Sequence, residues 1–77
     1  MENGIYVTDG EGLILSHIDA GRIWWHNPQL PIVTNFRDID YNPEPFCFEK
    51  IEDAMSFAKL LRKQCMGGTK GADVACI

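Results

Sequence analysis

Along the first third of the chain short β-prone apolar runs are separated by turn residues, and toward the C-terminus hydrophobic residues return at steps of three and four. The first pattern is that of strands joined by turns, the second that of a helix with one apolar face. In GIYVTDGEGLILSHI two β-prone runs, Ile5 to Thr8 and Leu13 to Ile18, flank DGEG, where Asp9, Gly10 and Gly12 suit the positive φ angles of a tight turn. DAG at 19–21 is a second turn signal, and RIWWH after it reads as a third strand. Consecutive strands usually pair, so a three-stranded antiparallel meander is expected.

The adjacent tryptophans of RIWWH cannot both face inward, because successive strand side chains point to opposite sides of the sheet. Ile23 and Trp25 share one face, and Arg22, Trp24 and His26 share the other. The face holding Ile23 is expected to meet the core. Trp25 is then the core tryptophan, and Trp24 is covered either by the chain itself or by a partner. A register slip of one residue would exchange the two.

Pro28 and Pro31 stop this strand, since proline cannot donate to a ladder. IVTNF is a possible fourth strand, after which RDIDYNPEP, with Pro43 and Pro45, reads as loop. Residues 27–46 thus form a long connection of the kind that is often functional. From FCFEK onward, Ile51, Ala54, Met55, Ala58, Leu61 and Cys65 make one apolar stripe, widened by Phe57 and Leu60, on a helix of about four turns. Glu49, Glu52 and Asp53 crowd its first turn and Lys59, Arg62 and Lys63 its last, which complements the helix dipole. Gly67 and Gly68 are expected to end it. The predicted fold is α+β: an antiparallel β-meander of three to four strands packed by one C-terminal amphipathic α-helix. It occupies a single domain, 1–66, with 67–77 a flexible or edge-strand tail.

At 77 residues the chain has room for one small core, which makes support from a dimer or partner plausible. Hydrophobic residues make up 45% and charged residues 23%, which separates it from disordered chains. The net charge of −4 argues against a protein built to grip phosphate backbones, and the bases Lys59, Arg62, Lys63 and Lys70 are few. Direct nucleic-acid binding therefore ranks last. Three cysteines, Cys47, Cys65 and Cys76, are odd in number and unpatterned, as expected of a reducing cytoplasm rather than a secreted disulfide scaffold. No basic-then-apolar leader and no membrane-length apolar run is visible.

Sequence motifs for chemistry are weak. His17, His26 and the cysteines show no CxxC, HxxxH or HExxH spacing, so no metal or other cofactor is expected. Cys47 between Phe46 and Phe48 is expected to be a buried, inert thiol, although Cys47 and His26 would meet if FCF ran beside RIWWH. His26 itself is expected at the surface, at a strand end. MGGTKG at 66–71 has the composition of a phosphate loop without its pattern. The stronger signal is charge clustering: six of the eleven carboxylates fall within 38–53, with Arg37 and Lys50 the only bases in or beside that stretch. Acids at this density attract a basic groove and speed association with it, and aromatics nearby are typical of protein-binding hot spots.

Phe48, Ile51, Glu52, Asp53, Ala54, Phe57, Ala58, Lys59 and Leu61 spell F-x-x-I-E-D-A-x-x-F-A-K-x-L. With the GIYVTDGEGLILS hairpin and the tryptophan strand, this layout resembles small accessory proteins of phages and prophages. The proline-rich middle and the tail lie outside the resemblance, and Glu49-Lys50 stand where an Asp, Ser or Thr cap is usual. The resemblance implies stoichiometric binding that inhibits or redirects host machinery, as anti-CRISPR proteins do, and it brings no catalytic residues. The expected function is a non-enzymatic module binding a basic surface of a host protein in the cytoplasm, without nucleic acid or membrane. Its expected binding residues are Trp24, Asp38, Asp40, Tyr41, Glu44, Glu52 and Asp53. A homodimer formed through Trp24 and the sheet edge is the alternative, and a small enzyme or metal-binding domain using Cys47 and a histidine comes third.

Overall fold

The first turn folds as its residues require. In the computed structural model, which describes residues 2–64 and 69–77, β1 (Ile5–Thr8) and β2 (Ile14–Asp19) are joined by a loop with Gly10 at φ 84° and Gly12 at φ 97°. Asp9 has an ordinary φ and acts through its side chain: Oδ1 accepts from Glu11 N at 2.7 Å and Leu13 N at 3.1 Å. Beyond this turn the strands separate. They are in register at Thr8–Ile14. Further along, residues 46–48 enter between them, Phe46 N donating to Leu15 O (2.9 Å) and Phe48 N to Ile5 O (2.7 Å). One stretch of the proline-rich connection thus satisfies backbone groups of both strands that would otherwise be unpaired.

The strand β3 (Arg22–His26) pairs antiparallel with β2, with an irregularity that inserts Ser16 between the Leu15–Trp25 and His17–Trp24 pairs. Ser16 is buried, and its hydroxyl donates to Glu44 O at 2.5 Å, so the bulge faces the same connection. The fourth strand is not IVTNF. Val33 makes only an isolated bridge with Asn42, and the next residues turn at Asn35, whose Oδ1 accepts from Arg37 N. The fourth strand comes from the tail instead: β4 (Asp73–Cys76) pairs antiparallel with β1 from Ile5–Cys76 to Thr8–Asp73, giving the sheet order β3-β2-β1-β4.

The helix α1 (Ile51–Gln64) lies against β1 and β4. Its first hydrogen bond runs from Ala54 N to Lys50 O. The buried stripe is narrower than the sequence suggests. Ala54, Ala58 and Leu61 are buried and Phe57 half-buried, but Ile51, Met55 and Leu60 are exposed. A single helix on a four-stranded sheet offers only the width of contact that small residues at 54 and 58 allow, which leaves larger neighbours outside. Cys65, the terminating Gly67 and Gly68 and the proposed 66/67 boundary lie outside the described residues. The core comprises Val7, Leu15, Ala54, Ala58, Leu61 and Ala72, with Ile23, Trp25 and Phe48 packed around it. Arg62 Nη1 donates to Ala72 O, tying the end of the helix to the start of β4.

Candidate functional site

The long connection covers the outer face of β2 and β3 and decides where both tryptophans go. Trp25 packs toward the core as expected. Trp24 is half-buried by the chain itself. Phe36 and Tyr41 approach it edge-on at 5.5 and 5.4 Å, His17 stacks on it at 5.9 Å, and the Arg22 guanidinium lies 4.5 Å from its ring centroid. Phe36 and Tyr41 also meet each other at 5.6 Å, closing a three-ring cluster.

Asn42 fixes the base of this connection. It is 4% exposed, its Oδ1 accepts from Asn27 N, and its Nδ2 donates to the carbonyls of Asn27, Leu30 and Pro31. Sequence reading missed this residue. The available signal was an asparagine directly before a proline in a loop too long to be held by local turns. Asn27 and Asn35 each close an Asx turn on the residue two further on, which divides the loop into short ordered pieces.

On this frame the expected binding residues fall into groups. Trp24 and Tyr41 are together in the ring cluster. Asp38 and Asp40 are exposed on the same loop, where Tyr41 N donates to Asp38 O. Glu44 is exposed, and its carbonyl holds Ser16. Glu52 and Asp53 are exposed on a different element, the first turn of α1. Between Asp38 and Asp40 stands a residue that sequence reading passed over, Ile39, which is 100% exposed; Phe36 nearby is 65% exposed.

Two expectations about single residues are corrected. His26 is not a surface residue. It is 4% exposed because the connection lies over its face of β3, and its Nδ1 is 2.9 Å from Pro43 O. A carbonyl only accepts, so Nδ1 carries a proton and donates, and Nε2 is left without a hydrogen bond among the described residues. Cys47 is not buried: the backbone of 46–48 is occupied between β1 and β2, and the thiol is left exposed, 3.7 Å from Phe48 O. Cys76 is also exposed.

His26 and Cys47 line one cleft of about 460 Å³ with Tyr6, Glu2 and Glu44, although FCF runs against β1 and β2 rather than beside RIWWH. The Tyr6 hydroxyl donates to Glu2 O at 2.9 Å. A Cβ at Gly4 would come within 2.6 Å of Cys47 Sγ and 3.3 Å of the Tyr6 hydroxyl, so thiol and phenol share a space that only glycine leaves open. Burial raises the Tyr6 pKa above 10.0, and Cys47, by charge and by hydrogen bond, and the Glu2 charge raise it further. Among the described residues no group of three or more His, Cys, Asp or Glu is placed to hold a metal ion.

The molecule is thus a small α+β protein, a four-stranded antiparallel sheet with one helix, carrying a covered tryptophan, an acidic loop and a polar cleft. Among the described residues no helix is long and apolar enough to cross a membrane. Comparison with known proteins finds no matching family, no similar curated protein and no similar solved structure.

Proposed function

We propose that this chain is a non-enzymatic interaction module, of the kind encoded in phage and prophage accessory regions, that modulates a host protein by docking an acidic surface onto a basic site. The observation that carries the reading is Ile39, fully exposed between Asp38 and Asp40. A lone exposed aliphatic is ordinary on a protein surface. Here it shares a loop with the largely exposed Phe36, and the base of that loop is held by Asn42 and the Trp24 rings. An ordered apolar tip rimmed by carboxylates has the make-up of an interface anchor. Burial of the aliphatic supplies affinity, and the carboxylates select a basic rim and raise the on-rate. The same carboxylates would repel a phosphate backbone, and the reading needs no cofactor.

The test is retention of lysate proteins by immobilised wild type, by Ile39→Asp and by the double variant Asp38→Lys/Asp40→Lys, at low and high salt. A specific bacterial protein should be held by wild type, lost about tenfold by either variant, and released by salt. Equal retention by all three would overturn the proposal. Ile39→Asp should melt with wild type because the side chain is wholly exposed, so loss of retention would not reflect unfolding. Solution mass measured on the same samples decides the homodimer alternative, for which β3, carrying Trp24, and β4 are the edge strands.

A further inference from the structure

The cleft beside Tyr6 and His26 has a chemistry of its own. We propose that it is a subsite for an arginine side chain presented by the partner protein, an inference that rests on the reading of the chain as a binder of basic surfaces. Its polar lining is rich in acceptors and acids: Glu2 and Glu44, His26 with Nε2 unbonded, and the Tyr6 oxygen, whose own proton is donated to Glu2 O, with the Cys47 thiol beside them. Among the described residues no lysine or arginine lines it.

The buried histidine points to a ligand rather than to a chance pairing of acids. Every enclosed side-chain nitrogen or oxygen among the described residues has a hydrogen-bond partner. The His26 Nε2 has none, its bond to Pro43 being made by Nδ1, so Nε2 is open to the cleft although the residue as a whole is 4% exposed. A deep ring nitrogen on a lining that also holds two glutamates matches a donor group that carries positive charge over several N–H bonds. Leu30, Ile32 and Pro45 supply apolar lining for a flat group and an aliphatic stem. A guanidinium fits this mixture better than an ammonium, because it is planar, less strongly hydrated and offers five donors. The volume of about 460 Å³ lies within the range of sites that enclose small ligands.

The experiment is an NMR titration of the full chain with Nα-acetyl-arginine amide, its neutral analogue Nα-acetyl-citrulline amide, and Nα-acetyl-lysine amide. With the arginine probe, the His26 ring signals and the amides of Glu44 and Cys47 should shift and saturate, with a Kd on the order of 1 mM for a ligand of this size. Glu44→Gln should weaken binding about threefold or more, and Glu11→Gln, exposed in the β1–β2 loop, should leave it unchanged. An equal response to citrulline would remove the cationic assignment, and an equal response to lysine would remove the choice of arginine. Absence of saturable shifts, or shifts confined to 36–41, would overturn the subsite. None of these outcomes bears on the capture experiment with the Ile39 and Asp38/Asp40 variants, so the two proposals fail separately.

Discussion

Trp24 and Tyr41 meet edge to face with ring centroids 5.4 Å apart, at an interplanar angle of 82°. Seventeen positions of sequence separate them, and the contact answers what covers the second tryptophan of RIWWH: the chain's own loop does. Aromatic pairs of this geometry contribute about 0.5–1.5 kcal/mol beyond the area they bury. Tyr41→Ala removes the contacts with both Trp24 and Phe36 and should cost about 2 kcal/mol in chemical denaturation. It should also move tryptophan emission to the red and make Trp24 more accessible to iodide. Tyr41→Phe keeps the ring and should stay within about 0.5 kcal/mol of wild type. Unchanged quenching in Tyr41→Ala would mean that the loop does not shield Trp24.

Asn42 is the polar centre of the long connection, and its amide is nearly isosteric with a carboxylate. Asn42→Asp would turn an oxygen, rather than an N–H donor, toward the carbonyls of Asn27, Leu30 and Pro31 in a buried site. The expected loss is about 3 kcal/mol at neutral pH, smaller in acid where the carboxyl is protonated. Denaturation midpoints measured at both pH values test this.

Ala20 sits at φ 51° and Gly21 at φ 75° in the two-residue turn between the paired Asp19 and Arg22. Such a turn requires positive φ at both central positions, and alanine adopts that region with strain. Ala20→Gly or Ala20→Asn should therefore stabilise the protein by about 0.5–1 kcal/mol, seen as a raised Tm. A lowered Tm in both variants would contradict the turn geometry.

Tyr6 keeps its proton longer in the fold than in the unfolded chain, because burial and then Cys47 and Glu2 disfavour the phenolate. Between the unfolded and folded pKa values the native state holds more protons, so stability falls as pH rises. The contribution is fully present below 10.0 and is lost as pH climbs through the raised folded value. A tyrosinate titration should contain a late phase above 10.0 that disappears in Tyr6→Phe, and that variant should lose less stability at high pH than wild type.

Strand and helix identity were legible in the chain because they depend on periodicity and on local turn chemistry. The two hairpin turns, the facing of Trp25 and a helix after Lys50 all follow from the spacing of apolar residues and from glycine placement. The fold class follows from them, since a sheet and a helix each need an apolar face to bury. The sequence pattern carries less about breadth of contact, which is why Ile51, Met55 and Leu60 read as part of the stripe and stand exposed.

What only tertiary structure decided concerns the proline-rich connection and the tail. Neither carries a period, so their positions depend on which distant backbone groups lack partners. Phe46 and Phe48 go between β1 and β2 because Leu15 O and Ile5 O are available there, and this buries His26 and leaves Cys47 exposed. Asp73–Cys76 becomes a strand because β1 has a free edge. The acids Asp38, Asp40 and Glu44 were visible as a cluster of charge in the sequence. That an exposed Ile39 stands between two of them, and that a histidine, a tyrosine and a cysteine share one cleft, required the loop to be folded back on the sheet. Hydrogen bonds between residues far apart in the chain fix that path, and no local preference encodes them.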